Sequence, residues 1–164
     1  MASVKMVFSS LLIAIVIIIE TVVIYSGESL VAITILSTIP LYFICRIDLL
    51  YGWLSFLSVA ILLLIISPHQ MMFFVCTNGL VGTTLGISKV KSSSFVVQSI
   101  ACSIALYCGL CVVVSVLGIE SFAYKNWYYI LAVIAFCVVY STLWNFMLAR
   151  IYEYAKKITK LEIL

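Results

Sequence analysis

Charge is scarce in this chain: 9% of its 164 residues are Asp, Glu, Lys or Arg, against 66% that are hydrophobic. Soluble globular domains carry about 25% charged residues, so that class is excluded. A mean hydropathy of +1.32 points to an all-α integral membrane protein. Histidine is limited to His69 and proline to Pro40 and Pro68. A lone histidine in a turn excludes a Ser–His protease site, and no second intramembrane carboxylate accompanies Glu20. No apolar run carries the polar stripe or recurrent charge of a conducting pore. The short gaps between runs leave no room for a soluble catalytic or nucleotide-binding domain. The expectation is a non-enzyme without cofactor or metal, for which any energy from ATP comes from a partner.

What is present is six apolar runs, at about 6–25, 30–45, 49–66, 71–87, 95–117 and 127–149. A helix of about 20 apolar residues crosses a hydrocarbon core of about 30 Å. If each run crosses, eight of the nine basic residues (Lys5, Arg46, Lys89, Lys91, Arg150, Lys156, Lys157 and Lys160) share one side, and Lys125 joins Glu28 and Glu120 on the other. This positive-inside asymmetry predicts six spans with both termini in the cytoplasm of a cell-membrane protein. Lys5 precedes an apolar stretch, as in a signal sequence, but the run is long, contains Glu20 and lacks a small-x-small cleavage site, so a retained helix is expected. The net charge of +3 serves topology and anionic lipid, with no nucleic acid implied.

The second run is short and contains Pro40, so distortion is expected near Thr38–Pro40. Residues 151–164 read as an amphipathic tail, with Ile151, Tyr154, Ala155, Ile158 and Leu161 at helical spacing between charges. The six cysteines all fall in apolar runs. Cys108-Gly-Leu-Cys111 has redox or zinc spacing, but without nearby His or acid it reads as packing. Gly79, Gly82 and Gly86 on the fourth run, and Ala101, Ala105 and Gly109 on the fifth, form small-residue stripes that allow close helix approach and are expected to face one another.

Glu20 is the sharpest single residue. A charged group at the bilayer centre costs about 2.5–3.5 kcal/mol on insertion scales, and it normally faces a cavity or a partner. At about 1.5 Å per residue from Lys5, it lies about three-quarters of the way across, in the outer half. It is either an interfacial carboxylate bonded to water or neighbours, or a ligand contact or proton site. Asn78 and Asn145 lie in the fourth and sixth runs, and buried amides of this kind usually bond neighbouring helices. Asn78, at the base of an outward cavity, is the better ligand candidate of the two. Trp127, Tyr128 and Tyr129 read as an aromatic belt or as rings that stack a planar ligand.

Ile39-Pro40-Leu41, Arg46, Gly52, Ser67-Pro68, then Asn78-Gly79-Leu-Val-Gly82-Thr-Thr-Leu-Gly86 and the Lys89/Lys91 turn follow in order. Over residues 6–150 this pattern resembles the substrate-binding S components of energy-coupling factor (ECF) transporters and related six-span membrane proteins. The resemblance implies a compact six-helix bundle that captures a vitamin, its precursor or a metal ion from outside. It also implies association with a transmembrane coupling subunit and two cytoplasmic ATPases, and transport by toppling in the bilayer. The family's Ala-x-x-x-Ala docking motif on the first helix corresponds to Ser10-Leu-Leu-Ile-Ala14, with serine in the first position. Its pocket, formed in the outer half by the first loop and helices four to six, would admit Glu20, Glu28, Asn78, Tyr124, Lys125, Asn126, Trp127 and Tyr128. Metal transport in this group implies histidines near the N-terminus, and their absence favours an organic ligand. Glu20 and Glu28 would then pair with a cationic or amine-bearing molecule, with Trp127 or Tyr128 stacked on its ring.

A non-transporting scaffold or assembly subunit of the cell envelope is the competing reading. A transporter subunit should keep an outward cavity lined by Glu20 and Asn78. A scaffold should be packed solid there, with Glu20 bonded to a neighbouring helix.

Overall fold

The computed structural model describes residues 2–26, 28–91, 94–117 and 127–159, and among these the chain is helical with no strand. The elements are α1 (Ala2–Ser26), a 3-10 segment (Glu28–Ser37), α2 (Thr38–Ile47), α3 (Leu49–Ile66), α4 (Pro68–Cys76), α5 (Asn78–Lys91), α6 (Phe95–Leu117) and α7 (Trp127–Thr159). Among the described residues, five apolar helical stretches are long enough to cross a membrane: Val4–Ser26, Leu49–Ile66, Pro68–Lys91, Phe95–Val116 and Trp127–Lys157. Large apolar side chains stand exposed along them, as at Leu11, Ile18, Leu57, Ile65, Ile104 and Val139. Such surface belongs in lipid, and the chain is a multi-pass membrane protein.

The second run departs from the expected sixth α-helical span. Its first ten residues wind as 3-10 helix and only the next ten as α-helix. Ser37, at the junction, keeps right-handed helical angles (φ −63°, ψ −19°), so the chain continues without a turn. Ten residues rising about 2.0 Å each and ten rising about 1.5 Å give about 35 Å, which matches a hydrocarbon core. As pure α-helix the same twenty residues would span about 30 Å, so overwinding adds about 5 Å. Pro40 falls in the first turn of α2, where a missing N–H is best tolerated.

α2 is the hub of the bundle. Thr38 and every residue from Pro40 to Cys45 are buried. Leu41 joins Val16, Phe56, Val59, Leu63 and Phe74 in one core, built with α1, α3 and α4. Tyr42 and Phe43 join Val81, Leu85, Leu106, Trp144, Leu148 and Tyr152 in the other, built with α5, α6 and α7. A helix apolar on all sides is one enclosed by others. Its basic end is tied to α7, where the Arg46 guanidinium lies 4.4 Å from the Tyr152 ring centre.

The glycines show how α2 is approached so closely. A Cβ on Gly82 would lie 2.7 Å from the Thr38 carbonyl oxygen, and one on Gly86 would lie 2.5 Å from Cys45 Cβ. Both face α2 and not α6. Gly109 of α6 abuts the Cys76 backbone at the end of α4. The glycines of the two small-residue stripes therefore meet different partners, contrary to the expected face-to-face stripe. Between α6 and α7, Asn145 Nδ2 donates to Ser99 Oγ (3.0 Å) and to the Phe95 carbonyl (3.2 Å).

The fourth run, expected as one span over 71–87, is two helices. Ser67 caps α4 by accepting from the Gln70 N–H at 3.3 Å, with Pro68 beginning the helix. Thr77 breaks it at φ −126°, ψ −92°. Its N–H and its hydroxyl both turn back to the Phe73 carbonyl, at 2.9 Å and 2.5 Å. α5 then restarts at Asn78 and ends on Lys89 and Lys91.

Candidate functional site

Both irregular stretches, the 3-10 segment and the break at Thr77, border one cavity of about 720 Å³. Non-helical backbone within a membrane survives only where protein buries it or a polar cavity receives it. The cavity walls come from the C-terminal end of α1 (Val23, Ile24), the 3-10 segment (Thr34, Ile35) and α4 (Gln70, Phe73). Thr77 and Asn78, Leu106 and Leu110 of α6, and Phe136 and Tyr140 of α7 complete them. On α1, α5 and α7 these positions lie toward the end away from Lys5, Lys89/Lys91 and Arg150/Lys156/Lys157. The cavity thus opens in the half of the bundle opposite the basic ends. Its volume falls within the range of about 300–1,000 Å³ typical of small-molecule sites.

Helical periodicity sets the lining. Gln70 and Phe73 of α4 and Thr77 at its C-cap recur at intervals of three and four, and Phe136 and Tyr140 at four along α7, so each set shares a face. The Phe136 and Tyr140 rings stack with centroids 5.7 Å apart and planes 28° apart. Asn78 is tied down at the restart of α5: its Nδ2 donates to Thr34 Oγ1 at 2.9 Å, and its carbonyl accepts from Thr38 Oγ1 at 3.3 Å. Ser37 Oγ donates to the Thr34 carbonyl at 2.6 Å. Broken helix and overwound helix are therefore stitched together by side-chain hydrogen bonds at the cavity floor.

Glu20 is fully buried and does not line the cavity. Gln70 Nε2 donates to Glu20 Oε2 at 2.6 Å, so the acid stands behind an amide that does line it. Among the described residues, Glu20 Oε1 has no hydrogen-bond partner. Of the two features expected of a transporter subunit, the cavity with Asn78 on its wall is present, whereas Glu20 is bonded to a neighbouring helix.

The other expected site residues fall elsewhere. Glu28 begins the 3-10 segment, and its side chain lies outside the described residues, as do Tyr124, Lys125 and Asn126. Trp127 and Tyr128 are exposed at the start of α7 and do not line the cavity, a placement suited to an interfacial aromatic belt. Ser10 and Ala14 are exposed on α1, with Ser10 in a shallow depression beside Met6, Val7 and Leu11. Gly79 packs on the Phe74 ring and carbonyl, and Ala101 and Ala105 are half-buried on α6. Cys108 is exposed and Cys111 half-buried. Among the described residues no group of three or more His, Cys, Asp or Glu is placed to hold a metal.

Thr34, Gln70, Phe73, Thr77, Phe136 and Tyr140 were not legible as site residues. The available signal was the polar interruption Thr77-Asn78-Gly79 inside an apolar run. No family model, curated protein or solved structure matches the chain, so the function rests on the geometry of this cavity.

Proposed function

We propose that the protein is the substrate-capturing membrane subunit of an importer of the energy-coupling type, binding a small organic molecule from the outer face of the cell membrane. The observation that carries this reading is the cavity itself, placed where a broken helix and an overwound one meet. Discontinuous helices with freed polar groups at membrane depth are the usual construction of transporter binding sites. With the basic ends of the helices in the cytoplasm, the cavity faces outward, as capture requires. The exposed Ser10/Ala14 face of α1 offers a small-residue surface for a coupling subunit, which would bring two ATPases.

The burial of Glu20 against Gln70 favours the second reading, a scaffold subunit of the cell envelope. Purification from its native membrane in mild detergent, followed by native mass spectrometry, separates the two. Capture predicts a bound organic molecule and co-purifying ATPases, with the molecule lost from Leu110→Trp protein, whose added indole fills the cavity. Empty protein that brings down only envelope-assembly proteins would reject capture.

A further inference from the structure

The chemistry of the wall restricts what the cavity can hold. Resting on the reading of the cavity as a ligand site, we infer that its ligand is an uncharged, flat molecule that donates N–H or O–H groups. The described lining contains no Lys, Arg, Asp or Glu. Glu20 is withheld from it, fully buried with Oε2 taken by Gln70. A charged ligand entering here would lose its hydration without meeting a counter-charge. This replaces the amine-bearing ligand expected when Glu20 was placed on the wall.

The two amides on the wall present their acceptor oxygens. Gln70 spends its amide nitrogen on Glu20, and Asn78 spends its own on Thr34. Among the described residues, no hydrogen bond is found to Gln70 Oε1 or Asn78 Oδ1, and both residues line the cavity. Thr77 has committed its hydroxyl proton to the Phe73 carbonyl, so only lone pairs face outward. Ser67 and the exposed His69, at the turn that opens α4, and the Thr34 and Tyr140 hydroxyls are the lining groups able to donate. The stacked Phe136–Tyr140 pair adds an aromatic surface suited to a planar ring. Glu20 is then a positioning residue: by accepting from Gln70 Nε2 it keeps the nitrogen turned away and the carbonyl oxygen toward the cavity.

The test uses full-length protein in lipid nanodiscs and ligand-observed NMR with four probes of one ring each. Benzamide is neutral with N–H donors, N,N-dimethylbenzamide is neutral without them, and benzamidinium and benzoate carry opposite charges. Each signal is read as the difference between wild-type and cavity-filled Leu110→Trp protein. The expected result is a benzamide difference at least threefold above the other three. That preference should narrow in Glu20→Gln, which lets the Gln70 amide turn either way, and a purely structural Glu20 would not alter it. Removing both partners together, in Glu20→Met/Gln70→Met, should lower the benzamide signal at least threefold. A charged probe that leads, or dimethylbenzamide equal to benzamide, overturns the donor class while leaving the binding site standing. No difference for any probe between wild type and Leu110→Trp removes the site itself.

Discussion

Gly109→Ala places one methyl group where α6 crosses the end of α4. The new Cβ would overlap the Cys76 carbonyl oxygen and lie 2.9 Å from its carbonyl carbon and 3.2 Å from its Cα. Carbon atoms in contact settle at about 3.5–4.0 Å, so the two helices would have to part by roughly 1 Å. The obstacle is backbone, which cannot rotate aside, and α4 is anchored by Phe74, stacked on Phe56 with centroids 5.9 Å apart. Overpacking of this kind costs about 1–3 kcal/mol. Alanine returns about 0.8–1.0 kcal/mol of helix propensity over glycine. Because backbone does not yield, the upper part of the range applies, and a net loss of about 1–2 kcal/mol is expected, a factor of roughly 5–30 in the unfolding equilibrium. The assay is equilibrium unfolding in mixed micelles followed by tryptophan fluorescence. Cys108→Ala, one residue away and exposed, is the control and should change stability by less than about 0.5 kcal/mol. Gly109→Ala protein as stable as wild type would refute the backbone contact.

Two further outcomes follow from the same geometry. Gln70→Leu alone leaves the buried Glu20 carboxyl without its donor and should destabilise by about 1–3 kcal/mol, whereas Glu20→Met/Gln70→Met should recover much of that loss in the same unfolding assay, because both partners are replaced by apolar groups. In a cysteine-free background, His69→Cys should label with a membrane-impermeant maleimide in intact cells, while Lys91→Cys labels only after permeabilisation; the reverse would invert the proposed orientation.

Composition and charge order by themselves determined the long apolar helices of a multi-pass membrane protein and the concentration of basic residues in alternate gaps between the apolar runs. Those properties depend on the local balance of apolar and charged residues, which decides what can lie in lipid whatever its neighbours are. Legible in the same way was the close approach required at Gly82 and Gly86. The change of form near Thr38–Pro40 was legible too, from the shortness of the run and from Pro40, but the overwinding of its first half was not. Whether residues 28–47 tilt, shorten or overwind depends on the space left by the surrounding helices, and α2 packs chiefly against α1, α3 and α5. The break at Thr77 likewise needs Asn78 and Thr34 to meet across 44 positions of sequence. Glu20 shows the same limit at one side chain: its place in α1 follows from hydropathy, but its position behind the cavity wall follows from Gln70, which arrives from a different helix. Burial in lipid is a local property of the sequence, whereas the partner of each buried polar group is chosen by packing, and only the tertiary structure decides it.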